Sequence, residues 1–505
     1  MPAAVLPPPD RYNRALVDDV HPADWTNPTP AGRYDVVVLG AGTAGLVTAA
    51  GAAGVGGCVA LVERHLMGGD CLNFGCVPSK GVLRAAHVAQ LVRDAPAYAV
   101  HSADVRVDFP AAMERMRRLR AGLAHNDSAA RFRGLGVDVY LGDARFVGAD
   151  ALEVDGRRLA FRRAVIATGA RATGLPVPGL AEAGYLTNET VFSLTELPRR
   201  LLVIGAGPIG CELAQAFRRL GSDVTIVSLD GRLLPREDAD AAAVLAARFE
   251  REGIATALGA RIARVEQEGG TKAIVFDRGR GTERAVGDAI LVAVGRAPNV
   301  EGLDLERAGV RHRPGGVEVD DRLRTSNRRI YAAGDVCSPY KFTHAADAMA
   351  RIVVQNALFL GRKKASRLVI PWCTYTDPEI AHVGIATEDA ARRGDDVVTL
   401  TVPLGEVDRA VLDGETEGFA RAHVDRRGRI LGATLVARHA GETIGEIVLA
   451  MTAGVGLGAI GRTIHPYPTQ AEVLKRLADA HQRRRLTPGV KRLFERWFRL
   501  WRALA

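Results

Sequence analysis

The sequence predicts an α/β fold in which two parallel-sheet units, each running strand, glycine turn, helix and strand, precede a separate α+β region. Three observations predict it. Residues 36–63 and 201–227 repeat one pattern, two buried strand-like runs around a Gly-x-Gly-x-x-Gly turn. No charged residue falls between Asp35 and Glu63, but seven glycines do, at 40, 42, 45, 51, 54, 56 and 57. A membrane span would need about 18–20 apolar residues in one helix, so this stretch reads as a strand–turn–helix–strand unit with both strands buried. From about residue 371 the pattern changes to alternating strands and two amphipathic helices.

The remaining elements follow in order. Residues 1–33 are rich in Pro, Asp and Asn without periodicity and read as an extension lying on or beside the fold. Residues 82–130 alternate apolar and polar positions at helical spacing and predict long amphipathic helices. Short strands are expected at 137–140 and 152–154, and a run at 164–169 ends in Thr168-Gly169. Two further buried strands, 289–294 and 330–333, close on Gly295-Arg296 and Gly334-Asp335. The segments are therefore 1–33, 34–183, 184–298, 299–369, 370–482 and 483–505.

Composition excludes several classes. The 505 residues are 47% hydrophobic and 25% charged, which rules out a disordered chain and allows about three domains. Six cysteines are too few for a secreted disulfide scaffold, and the first ten residues lack a basic region followed by an apolar core. A cytoplasmic, reducing location is expected, where closely spaced cysteines point to redox chemistry. The formal charge is only +9, and seven of the 67 basic residues are lysine. No nucleic-acid recognition motif is present, so a nucleic-acid partner is not expected.

Gly40, Gly42 and Gly45 follow a strand and open a helix. In that context the first glycine permits the tight turn, the second lets backbone N–H groups approach a pyrophosphate, and the third lets helix and strand pack closely. Glu63 ends the second strand, where a carboxylate can hold a ribose 2′-hydroxyl. Gly205, Gly207 and Gly210 repeat the arrangement. There the second strand ends in Ser228 instead of an acid, with Arg232 and Arg236 close behind. A missing carboxylate beside guanidinium groups suits a 2′-phosphate, so NADPH is preferred over NADH. Two such units in one chain imply two dinucleotides and electron transfer between them.

Directly after Glu63 the chain reads MGGDCLNFGCVPSK, residues 67–80. Cys71 and Cys76 can approach if the four residues between them form a distorted helical turn, which Gly75 permits. Pro78 suits a helix start, placing Cys76 near a positive helix end that lowers a thiol pKa. Alternatives are half of a structural zinc site, for which no second pair stands at metal spacing, and two buried cysteines.

This stretch, bracketed by two dinucleotide turns, resembles the FAD-dependent pyridine nucleotide–disulfide oxidoreductases, which include glutathione reductase, dihydrolipoamide dehydrogenase and mercuric reductase. Thr168-Gly169, the Gly295-Arg296-Ala297-Pro298-Asn299 run and Gly334-Asp335 match signatures of the same family. The resemblance implies FAD in the first unit (34–183 and 299–369), a nicotinamide nucleotide in the second (184–298), and homodimerisation through 370–482. It further implies a redox-active disulfide, with Cys76 as the thiol touching the flavin and Cys71 as the thiol meeting substrate. Lys80 would lie near the flavin, paired with Glu212, and Asp335 would contact the flavin's ribityl–phosphate region.

Disulfide reductases of this family end with His-Pro-Thr-x-x-Glu, whose histidine protonates the departing thiolate. Here the stretch is HPYPTQAE, residues 465–472: Glu472 follows Tyr467 by five residues, so Tyr467 takes the histidine's place. A phenol of pKa about 10 is a poor proton shuttle at neutral pH. His465 lies two residues away. Mercuric reductases carry tyrosine here, and Tyr185 resembles a second tyrosine that they place beside the active site. Packing at the dimer seam is the competing role for Tyr467. No structural metal is expected; a substrate metal would sit at Cys71, Cys76 and Tyr467. The chain departs from mercuric reductases in lacking a C-terminal cysteine pair, its last cysteine being Cys373. Cys58, Cys211, Cys337 and Cys373 read as core. Mercuric ion leads as acceptor, followed by an organic disulfide or a quinone, then by a membrane-docked electron-transfer or scaffold role.

Residues 483–505 carry eight basic residues and one acid, +7 of the formal +9. Apolar positions 490, 493, 494, 497, 500, 501 and 504 form one helical stripe with arginines mostly opposite. Such a helix can dock on its own dimer, lie on an anionic membrane through residues 486–505, at the inner face of the membrane, or meet another partner.

Overall fold

The protein is described by a computed structural model covering residues 5–30, 32–102, 104–359 and 361–504. Its contacts group into two compact units: the chain up to Gly231 with Glu252–Leu368, and Arg232–Arg251 with the chain from Val369 onward.

The first unit is built around a seven-stranded sheet. The parallel strands Val137–Leu141, Val59–Glu63, Arg33–Leu39 and Arg157–Ile166 lie side by side in that order, with Ile330–Ala332 also parallel to the last. Ala151–Val154 and Ala144–Gly148 extend it antiparallel. Val36, Val37, Val38 and Leu39 are all buried, as strands covered on both faces must be. The glycine turn leads into helix Thr43–Gly54. The second turn leads from Arg200–Ile204 into helix Pro208–Leu220, over a four-stranded parallel sheet completed by Asp223–Val227, Ala255–Ala257 and Ala289–Val292. The amphipathic stretch yields helices Cys76–Asp94, Phe109–Ala124 and Ala129–Gly134. An antiparallel meander, Arg261–Glu268, Thr271–Asp277 and Thr282–Gly287, was not anticipated from the sequence.

The N-terminal extension holds more structure than its composition suggested. Asp10 caps helix Arg11–Val20 by accepting from the backbone N–H groups of Tyr12 and Asn13. Asn13, Leu16 and Val20, on one face of the helix, are buried and hold it to the fold. Farther on, the Asn27 side chain bonds both the N–H and the C=O of Leu141, and Trp25 Nε1 donates to Val139 O. The extension thereby covers the edge strand Val137–Leu141.

The second unit has a five-stranded antiparallel sheet in the order Pro371–Thr374, Glu379–Gly384, Ile430–Ala437, Phe419–Asp425, Val397–Pro403. Helices Ala440–Ala453 and Glu472–Arg485 bury Ile444, Ile447, Leu474 and Leu477 in its core. The buried Arg421 guanidinium pairs with Asp238 and Asp240. Among the described residues no helix is long and apolar enough to cross a membrane.

One cysteine departs from the core expectation. Cys58 is exposed, just before strand Val59–Glu63 begins; Cys337 and Cys373 are half-buried and pack against core clusters, and Cys211 is buried.

Candidate active site

Both glycine turns are sterically dictated. Gly40 has φ +97°, and a Cβ there would lie 2.4 Å from Ala167 O; a Cβ on Gly45 would lie 1.7 Å from Gly40 O. The second turn repeats this, with Gly205 against Ala293 O at 2.6 Å and Gly210 against Gly205 O at 2.2 Å. Gly207, by contrast, faces open space, leaving room beside the N-terminus of helix Pro208–Leu220. At the first turn, Glu63 Oε2 accepts from Ala41 N–H at 2.7 Å and Oε1 from His65 N–H at 2.8 Å. A cavity of about 250 Å³ opens there, lined by Gly40, Glu63, Gly142, Thr168, Asn299 and Glu301.

Beyond it Arg296 is buried between two carboxylates, its Nη1 3.3 Å from Asp70 Oδ2 and its Nε 3.7 Å from Asp335 Oδ2. Its Nε has no hydrogen-bond partner, and burial pushes the Asp335 carboxyl above the ordinary range. Gly295 precedes this arginine, Gly334 precedes Asp335, and Gly169 begins the turn that leads to Ala170, whose carbonyl accepts from Arg296 Nη2. A glycine cradle, a carboxylate at the strand end and a buried N–H that makes no hydrogen bond fit a dinucleotide carrying ribose, phosphate and ribityl groups.

Cys71 lies in the short helix Gly69–Asn73, and Cys76 is the first residue of helix Cys76–Asp94; both thiols are free. The two sulfurs are hydrogen-bonded. That bond, a second from Thr343 and the Lys80 charge hold the Cys76 pKa down to about 6, against the burial that raises it. Cys71 is pushed up, first because its S–H donates to Cys76 and then by burial. Cys76 Sγ is 3.4 Å from Thr343 Oγ1 at the start of helix Thr343–Leu358. Lys80 Nζ is 2.7 Å from Glu212 Oε2, the pairing that the family resemblance implies.

Tyr185 packs against the apolar cluster containing Leu202 and Ile204. Three residues on, Asn188 Nδ2 donates to Asp70 Oδ1 at 2.8 Å, tying this segment to the dithiol loop. Ser228 is buried and its hydroxyl donates to Asp230. In the second unit, Arg232 Nη2 donates to the carbonyls of Pro235 and Glu237. Tyr467 is 71% exposed and its hydroxyl donates to Asp408 Oδ2 at 2.9 Å, which raises the phenol's pKa. Glu472 is turned to Arg476 instead of Tyr467. His465 is held with its Nε2 3.1 Å from both Glu446 oxygens.

Sequence reasoning missed Thr343, Asn188 and Asp408. A hydroxyl residue opening a helix just after Gly334-Asp335 was the available signal for Thr343; nothing local pointed from it to Cys76.

A fold with two dinucleotide turns and an asymmetric dithiol defines a flavin- and nicotinamide-dependent oxidoreductase. Residues 34–350 match the pyridine nucleotide-disulphide oxidoreductase family and residues 370–478 match its dimerisation domain. The chain belongs to this family, whose enzymes are FAD-dependent with NAD(P)H as electron donor. It is 35% identical to a mercuric reductase of Bacillus cereus over 88% of this chain and 70% of the relative. It is 34% identical to a dihydrolipoyl dehydrogenase of Chlorobaculum tepidum over 90% of this chain and 98% of the relative. The HOCl-induced flavoprotein disulfide reductase RclA of Escherichia coli superposes with a TM-score of 0.79 at 29% identity, covering 88% of this chain and 99% of that one. RclA has also been solved as a Cu(II) complex.

Proposed function

We propose that this enzyme takes two electrons from NADPH, or from NADH, and delivers them through Cys71 and Cys76 to mercuric ion. FAD, when bound at the first glycine turn, supplies the two-electron exchange between nicotinamide and dithiol. Residues 34–183 with 299–369 are assigned to FAD and 184–298 to the nicotinamide nucleotide. Lys80, anchored by Glu212, holds positive charge one turn from Cys76, and Thr343 keeps that sulfur ionised. Cys71 is the thiol that meets substrate.

One observation carries the choice of acceptor: Tyr467 stands where the family's disulfide reductases have their histidine, and its bond to Asp408 raises the phenol's pKa further from neutrality. Opening an organic disulfide requires an acid for the departing thiolate. A soft metal ion held by two thiolates does not. The balance is NADPH + Hg²⁺ → NADP⁺ + H⁺ + Hg⁰, in which the metal–sulfur bonds break as the reduced metal leaves and both thiolates remain.

The test is anaerobic NADPH oxidation with Hg(II), oxidised glutathione, lipoamide or a quinone as acceptor. Hg(II) turnover that Cys71→Ser abolishes is the expected result. Disulfide turnover without Hg(II) turnover would overturn the reading. It would make His465, paired with Glu446, the acid, and His465→Gln would then abolish that activity. Quinone reduction that survives Cys71→Ser would place the acceptor before the dithiol.

A further inference from the structure

We propose that the C-terminal helix Pro488–Leu504 seats the enzyme on an anionic lipid surface. This concerns a part of the chain outside the redox site and does not depend on the acceptor.

The dimerisation-domain match ends at residue 478, so this helix is appended beyond the module with which the family makes its dimer. Its seventeen residues make a rod of about 25 Å. At 3.6 residues per turn the apolar side chains fall on one arc of about 160°. Leu493, Phe494, Trp497, Leu500, Trp501 and Leu504 on that arc are between 47% and 87% exposed. The opposite arc carries Lys491, Arg492, Arg496, Arg499 and Arg502 against the single acid Glu495. Arg483, Arg484 and Arg485 at the end of the preceding helix add three more positive charges.

Both faces must be accounted for by the occupant. A protein partner covering the apolar arc would leave a nearly all-basic face repelling itself in solvent, whereas such exposed helices usually mix both signs. A lipid interface satisfies both: apolar and indole groups enter the headgroup–acyl boundary, and the arginines flanking them meet anionic headgroups. The charge complementarity selects acidic over zwitterionic lipid. The helix is too short and too charged to span, so it lies in the plane of the surface.

The full-length holoenzyme should co-sediment with phosphatidylcholine vesicles containing about one-third phosphatidylglycerol, and about tenfold less with phosphatidylcholine alone. Raising salt to about 1 M should release it. Two of the four tryptophans, Trp497 and Trp501, are in the tail, so the emission difference between the full chain and a chain lacking residues 486–505 reports them. That difference should shift to the blue only when anionic vesicles are added. Trp497→Glu with Trp501→Glu, and separately Arg492→Glu with Arg496→Glu and Arg499→Glu, should each abolish binding while NADPH oxidation in solution is unchanged. Equal binding to both vesicle types, or binding retained by the charge-reversal variant, would overturn the proposal. So would tail tryptophans already blue-shifted without lipid together with a dimer weakened by the deletion; that result would assign the helix to the second copy of the chain.

Discussion

Of the two thiols, Cys76 is the one that ionises, because it receives the hydrogen bond from Cys71, a second from Thr343 and the field of Lys80. In the reduced protein freed of flavin, iodoacetamide should alkylate Cys76 with a midpoint near pH 6, and Cys71 only well above neutrality. Thr343→Val removes one bond to the thiolate and should move the Cys76 midpoint up by about one pH unit. An unchanged midpoint would remove Thr343 from the site. Lys80→Met should raise the same midpoint and, by removing the 2.7 Å ion pair to the buried Glu212 carboxylate, cost about 1–3 kcal/mol in urea unfolding. The pair, its order and Lys80 are legible in the sequence because they lie within ten residues. Thr343 is not, because it comes from 267 residues away.

At the scale of elements, the N-terminal helix Arg11–Val20 is the clearest case of structure that the sequence reading did not anticipate. Its attachment is largely polar. Arg120, buried and with its pKa pushed down to about 10 by burial, donates to Asn13 Oδ1 and to Asn73 O at 2.6 Å each. Asn73 closes the short helix that holds Cys71, so the strap bears on the dithiol loop. Asn13→Ala should leave a buried guanidinium donor unsatisfied and destabilise the protein by about 2–3 kcal/mol in urea unfolding. A loss under about 0.5 kcal/mol would mean that the strap is a surface appendage. The glycine turn divides between the two cases: Gly45 is dictated by a clash with Gly40 O inside one βαβ unit and so is legible from spacing, whereas the Cβ clash at Gly40 is with Ala167, a contact that only the tertiary structure supplies.

At the scale of the molecule, one contribution to the dependence of stability on pH comes from a buried acid in the second unit. Glu237 accepts from Trp372 Nε1 at 2.7 Å, but its other oxygen has no hydrogen-bond partner, and burial pushes its pKa up to about 7. With the folded value above the unfolded one, its contribution is fully present below about pH 4.3 and is lost as pH rises through 7. Glu237→Gln should therefore raise Tm more at pH 8 than at pH 5. Equal shifts at both pH values would show that the carboxyl is not buried in the neutral form. Neighbouring Asp238 works in the other sense. Burial raises it, but bonds from Thr387 and Thr434 and the Arg421 charge outweigh that and hold it low, so its contribution is lost only in acid. Charge is also distributed at this scale: with +7 in the last 23 residues, the body of the enzyme is nearly neutral.

The sequence by itself determined the α/β class, the two dinucleotide turns, the dithiol and the basic amphipathic tail. Each of these is a short-range pattern in which backbone sterics or helical period constrain nearby positions. Only the tertiary structure decided that Thr343 meets Cys76, that Asp408 and not Glu472 partners Tyr467, that Glu446 holds His465, and that residues 232–251 pack with the C-terminal unit. Those contacts join positions from 19 to 267 residues apart. Their side chains are common polar types whose local surroundings would suit many partners, so chain topology alone selects among them.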